Sequence, residues 1–146
     1  MDNKKLKEIL PDIRLLGVSR KLDDLGRIVI PMSFRKNGNI HPGTIVSIEF
    51  INDCVLLKKI EKNEFEFSRK IDSLGRIVIP IEFRKLWSWN ENDLINICVY
   101  DDYIILRKIN KKCIFCYSEK NLFQYEGKFI CQSCKQKILK AWLLGN

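Results

Sequence analysis

Apolar and polar positions alternate in one order that this chain uses twice. Ser19 to Asp23 reads as a strand, and Asp24-Leu25-Gly26 as a turn in which Gly26 is free to take positive φ. Arg27 to Ile30 is a short apolar strand. Pro31 suits the first position of a helix, where its missing N–H costs nothing. Met32 to Asn37 gives a short helix stopped by Asn37-Gly38, and Pro42-Gly43 makes another turn. Thr44 to Ile51 and Cys54 to Ile60 alternate as the arms of a hairpin around Asn52-Asp53. The predicted order is β-β-α-β-β.

The same plan returns 49 residues later, with Phe67 to Asp72, Arg76 to Ile79, a helix from Pro80, and a hairpin of Leu94 to Tyr100 and Tyr103 to Ile109 around Asp101-Asp102. Between Arg20–Ile60 and Arg69–Ile109, 18 of 41 positions are identical without a gap, so the chain carries a tandem duplication. A unit of about 45 residues rarely buries enough apolar surface to stand alone, so the two copies are expected to share one core. The intervening Glu61–Glu66 could span roughly 20 Å when extended, enough for one copy to reach round the other. Upstream, Leu6, Ile9, Leu10, Ile13 and Leu16 suit a helical face that Pro11 interrupts. Downstream, Lys135 to Leu144 is amphipathic, with Ile138, Leu139, Trp142 and Leu143 on one side. The expected layout is a partly helical extension (1–17), repeat 1 (18–60), a linker (61–66), repeat 2 (67–109), a cysteine module (111–136) and an amphipathic tail (137–146).

Composition narrows the partners. The formal net charge of +8 favours an anionic partner, nucleic acid first. Apolar runs of about five residues fall far short of the roughly 20 that a membrane span needs, and the N-terminus has no signal-peptide pattern. Of six cysteines, four form two Cys-x-x-Cys pairs, Cys113/Cys116 and Cys131/Cys134, separated by fourteen residues. Two such knuckles bring four thiolates to one tetrahedral Zn²⁺, structural because no ligand position stays open. Leu122–Tyr125 and Lys128–Ile130 alternate around Glu126-Gly127, a hairpin that closes the gap between them. Tyr117 stands where such knuckles often have glycine. One zinc and four thiolates lower the formal charge from +8 to +6, so the chain stays basic. A redox dithiol or two disulfides are the alternatives, but the βα unit of a thioredoxin-like site is absent. The usage fits a reducing cytosol.

At Leu-Gly-Arg-Ile-Val-Ile-Pro followed by Phe-Arg-Lys, present at residues 25–36 and again at 74–85, the chain resembles the AbrB/SpoVT/MazE swapped-hairpin superfamily of small DNA-binding domains. The resemblance covers both repeats and is nearest to AbrB-type transition-state regulators, some of which carry a paired Cys-x-x-Cys module after the barrel. It implies a mainly β fold, a swapped-hairpin barrel formed from two β-β-α-β-β units, plus a small C-terminal zinc ribbon and short helix. The usual unit is single and dimerises; two units in one chain look like a covalent version of that dimer. The resemblance also implies DNA contact by the matching basic residues, Arg20, Arg27, Arg35 and Lys36 in repeat 1 and Arg69, Arg76, Arg84 and Lys85 in repeat 2. It implies tolerance of varied, often bendable sites, read by shape more than by a base code. Lysine at the second basic helix position meets phosphate as a point charge and cannot make the planar fork. Gly38 stands where repeat 2 has Trp87, which predicts a looser helix end and unequal halves. The plainer alternative for the arginines is surface pairing with Asp23, Asp24 and Asp72.

Other candidates carry less. Cys54 and Cys98 lie in strand runs as buried thiols, His41 is a solvent-facing turn residue, and Trp87, Trp89 and Trp142 suit core or interface. No nucleophile has a readable base partner and there is no phosphate-binding glycine loop, so no enzyme and no small-molecule substrate are expected. The reading is a cytoplasmic, nucleoid-associated transcriptional regulator that binds double-stranded DNA, with one structural Zn²⁺ per chain and possible further self-association as a dimer of pseudo-dimers. Two alternatives stand beside it: an antitoxin-like protein that binds DNA with its barrel and a toxin with its tail, and a zinc-ribbon assembly module without DNA binding.

Overall fold

The computed structural model describes residues 4, 5, 7, 8, 10, 17–62, 67–109, 111–126 and 128–145. Of the sequence expectations, the apolar positions Leu6, Ile9, Ile13 and Leu16, the helix break at Pro11, linker residues 63–66 and Gly127 lie outside them. Contacts divide the chain into two compact units, Met1–Ile109 and Asn110–Asn146.

The first unit is mainly β. Its elements are β1 (Val18–Lys21), β2 (Arg27–Val29), α1 (Met32–Asn37), β3 (Ile45–Ile51) and β4 (Cys54–Ile60), then β5 (Ser68–Lys70), β6 (Arg76–Val78), α2 (Ile81–Leu86), β7 (Leu94–Tyr100) and β8 (Tyr103–Lys108). Six strands form one antiparallel sheet in the order β1-β7-β8-β4-β3-β5, and β2 pairs with β6 in a separate two-stranded ribbon. The leading strand of each repeat therefore joins the other repeat's hairpin: β1 lies on β7, and β5 on β3. This is the swapped arrangement, made within one chain. Two cross-strand pairs, Ile28↔Ile77 and Leu56↔Ile105, join residues 49 positions apart, the repeat offset, so a pseudo-two-fold axis runs through both.

Sheet and ribbon close on one core. Ile28, Ile30, Ile77 and Ile79 come from the ribbon, and Val46, Ile48, Val55, Leu57, Ile95, Ile97 and Leu106 from the sheet. The opposite sheet face carries a second cluster of Ile51, Cys54, Leu56, Cys98, Tyr103 and Ile105, with the helical residue Leu10 buried against it. Arg107 ties that segment down, donating from Nη1 to the Leu10 carbonyl at 2.9 Å. Cys54 and Cys98 are buried thiols, as expected.

Two local readings change. Pro31 and Pro80 are N-caps in extended backbone (ψ 142° and 140°), one position earlier than the first helical residue. The helix ends are also alike: Gly38 and Trp87 have φ −88° and −105°, and each donates its N–H to the carbonyl of Phe34 or Phe83. The left-handed residue comes one later, at Asn39 (φ 53°) and Ser88 (φ 55°). The expected looser backbone at Gly38 is therefore absent, and the halves differ in side-chain packing instead.

The second unit holds β9 (Leu122–Tyr125) and β10 (Lys128–Cys131), an antiparallel pair, followed by α3 (Gln132–Leu143). No described helix is long and apolar enough to cross a membrane.

Candidate nucleic-acid interface and metal centre

The turn between β1 and β2 is built by one carboxylate. Asp23 Oδ1 accepts from the backbone N–H of Leu25 (3.0 Å) and Arg27 (2.7 Å), and Oδ2 accepts from Arg27 Nε at 2.6 Å. Asp72 repeats this with Leu74 (2.9 Å), Arg76 N (2.8 Å) and Arg76 Nε (2.6 Å). Partial burial opposes ionisation, but the hydrogen bonds and the arginine charge outweigh it and hold both carboxyls below their ordinary value. The surface pairing of these arginines with Asp23 and Asp72 is thus real, while Asp24 stays exposed. Pairing and outward contact are compatible. Each ion pair uses Nε, so the terminal amino groups of Arg27 and Arg76 are left for another acceptor.

The helices add a second pair. Arg35 Nε donates to the Ile30 carbonyl and Arg84 Nε to that of Ile79, both at 2.9 Å. Their guanidinium groups then cross to the other repeat. Arg84 packs on Gly26 and Arg35 on Gly75, so closely that a Cβ at either glycine would run into the guanidinium. Gly26 and Gly75 have φ 75° and 76°, so backbone conformation and close approach both require glycine there. Gly26 adjoins Arg27 and Gly75 adjoins Arg76. Arg84 thus lies against the turn that precedes Arg27, and Arg35 against the turn that precedes Arg76, two contacts drawn from both repeats and related by the pseudo-dyad. Among the described residues, none of these four arginines has a hydrogen bond from an Nη group.

In the ribbon, Arg27 stands opposite Val78 and Val29 opposite Arg76. The valines are exposed, while Ile28 and Ile77 point into the core. Lys36 and Lys85 are exposed in the last turn of α1 and α2. Arg20 and Arg69 stand elsewhere, on β1 and β5 at the two edges of the large sheet, each donating from Nη1 to the preceding residue's carbonyl. The eight basic residues are therefore not one cluster. Four arginines are locked at the ribbon, two lysines flank them on the helices, and two arginines are on the edges.

The cysteine module also comes together. The sulfurs of Cys113, Cys116, Cys131 and Cys134 all lie within 4.8 Å of one another, with Cys116 and Cys131 at 3.6 Å. A tetrahedral ion with metal–sulfur bonds of about 2.3 Å separates its ligands by about 3.8 Å, so the set fits a zinc-sized ion. Backbone N–H groups of Phe115 and Cys134 point at the sulfurs of Cys113 and Cys131, both at 3.4 Å, as second-layer donors to thiolates. Tyr117 takes the glycine-like backbone at φ 63°, at a cost of about 1–2 kcal/mol. Beyond the cluster, Ile138, Leu139, Trp142 and Leu143 of α3 are exposed. Trp89 is buried, whereas Trp87 is partly exposed, so the expectation of three core or interface tryptophans holds in the core only for Trp89. His41 is exposed as read, with Nε2 2.7 Å from the side-chain oxygen of Asn39.

Asp23, Asp72, Gly26 and Gly75 prove to be organising residues. The sequence carries their signal, since all four fall at identical positions of the two copies.

Residues 68–113 match the model of the family described as "Antidote-toxin recognition MazE, bacterial antitoxin". The solution structure of PHS018 from Pyrococcus horikoshii is similar at 18% identity and a TM-score of 0.39, over 63% of this chain and 87% of that one. No curated protein matches the chain.

Proposed function

We propose that this chain is a DNA-binding transcriptional regulator of the AbrB type, acting by occupancy of duplex DNA. The observation that carries the reading is the set of four arginines at the ribbon, Arg27, Arg35, Arg76 and Arg84. Each is fixed at Nε and has its Nη donors unspent among the described residues. A guanidinium held this way has lost its rotamer freedom before binding, and its remaining edge matches phosphate or the O6/N7 edge of guanine. The pseudo-dyad presents two of these arginines to each of two half-sites. Lys36 and Lys85 add phosphate contacts, and Arg20 and Arg69 add reach at the sheet edges. The four-cysteine cluster binds one structural Zn²⁺, which holds β9, β10 and the start of α3 together.

The test is a salt titration. If all eight cations meet phosphates, log K falls with log salt at a slope of about −7. Replacing Arg27 and Arg76 by alanine removes two contacts, so the slope shallows to about −5.4 and retention in a gel shift is lost at physiological salt. Unchanged retention and slope in that double variant would show that the ribbon is not the binding surface.

A second reading has its own support. The MazE-type match over residues 68–113 and the exposed apolar side of α3 favour an antitoxin-like protein whose C-terminal segment covers a toxin. Co-purification of a toxin encoded beside this chain, lost on Trp142→Ala, would favour it over the first.

A further inference from the structure

The pseudo-dyad makes each half a template for the other, and at one place they disagree. In the second half, the ring of Phe83 on α2 is covered: Phe50 stacks on it and Phe67 meets it edge-on, with ring centroids 4.9 Å apart and planes at 76°. The equivalent of Phe83 is Phe34 on α1. The positions equivalent to Phe50 and Phe67 are Val99 and Val18. Where Phe50 would lie there is a cavity of about 550 Å³, walled by Phe34, Ile40, Val46, Leu57, Val99 and Ile104. Three wall positions are smaller than their twins, with Val99 for Phe50, Ile40 for Trp89 and Val46 for Ile95. Gly38, also at the cavity, replaces Trp87.

We propose that this cavity is a binding site for a small, neutral aromatic molecule, whose ring stacks on Phe34 as Phe50 stacks on Phe83. The twin half shows what complements such a wall: a flat apolar ring. The volume lies within the usual range for small-molecule pockets, roughly 300–1,000 Å³. The mouth carries Lys58 and Lys59 against Glu61, Asp101 and Asp102, a mixed set that selects neither a cation nor an anion. Lys59 is already committed to the Asn39 carbonyl at 2.9 Å, and Lys58 lies over the Tyr103 ring, 5.4 Å from its centroid. Selection therefore rests on ring shape and apolar contact. The assignment does not depend on what the arginine surface binds.

Indole is the probe, titrated into the full chain with no DNA present. Methyl NMR should show saturable shifts at Val46, Leu57, Val99 and Ile104, with one site per chain and Kd on the order of 0.1–1 mM for a ligand of this size. Val99→Phe supplies the ring that the twin position already has, and should weaken binding by about two- to tenfold, the loss of the stacked contact. Phe50→Val with Phe67→Val removes both rings from Phe83, as Val99 and Val18 leave Phe34, and should raise the stoichiometry to two. Absence of saturable shifts at these methyls in the natural chain, or unchanged binding in Val99→Phe, overturns the proposal. If Val99→Phe does not fold, Phe50→Val with Phe67→Val decides: a second site supports it and a single unchanged site overturns it.

Discussion

Replacing Gly26 by alanine probes the joint between the two repeats with a single methyl group. Two costs arise. The first is backbone strain, because φ 75° lies in the left-handed region where a Cβ costs about 1–2 kcal/mol. The second is displacement of Arg84, whose guanidinium occupies the space of the new methyl. Arg84 is the flexible end of a side chain and can move, but doing so gives up its 2.9 Å bond to the Ile79 carbonyl, worth about 1 kcal/mol net. Together the loss is about 2–3 kcal/mol, or a drop of roughly 8 to 24 °C in melting temperature for a unit of this size. Gly43→Ala separates the terms. Gly43 also has positive φ, 89°, yet its Cβ would meet nothing within 4 Å, so it reports strain alone. Thermal melts of both variants, with gel shifts beside them, give the answer. Gly26→Ala should cost about 1 kcal/mol more than Gly43→Ala and should alone weaken DNA retention. Equal melting and equal retention in the two variants would refute the claim that the arginine–glycine contact sets the surface.

Three further outcomes follow from other parts of the molecule. Chelation should release one zinc per chain and remove the helical signal of α3, read by metal analysis and circular dichroism; retention of that signal without metal would mean the ribbon folds on its own hairpin. Asp23 and Asp72 have folded-state pKa values below the ordinary 3.8, so the stability they supply is complete above that pH and is lost as pH falls through the lowered values. Asp23→Asn with Asp72→Asn should therefore flatten the acid limb of the melting-temperature curve, and an unchanged limb would dismiss the turn carboxylates as its source. Burial pushes the thiols of Cys54 and Cys98 up to about 11, so both should resist alkylation at pH 8 in the folded chain, and rapid labelling by mass spectrometry would contradict their placement.

What was legible in the sequence was what repeats. The strands, short helices and turn at Gly26 are encoded by local pattern, and the second copy removes the ambiguity that a short apolar run carries alone. The cysteine cluster was legible from spacing. What was not legible depends on distant residues meeting. Arg84 reaches Gly26 across 58 residues, and no local rule links them. The backbone at Gly38 was not legible either: glycine after a helix suggests a looser end than Trp87 gives, yet both ends close alike and Asn39, whose short amide side chain tolerates it, takes the left-handed position. The double role of Asp23 is likewise invisible in the sequence, because ion pairing and turn building use the same carboxylate and only the geometry shows that it does both.

The axis through Ile28–Ile77 and Leu56–Ile105 has a thermodynamic consequence. A barrel assembled from two separate chains comes apart on dilution, so its occupancy of a rare target follows the square of protomer concentration at low levels. Here the partner strand is always present, at a local concentration set by a six-residue tether rather than by expression. If the arginine surface binds DNA as proposed, that surface stays whole at any copy number, and its titration is expected to be hyperbolic down to the lowest dose.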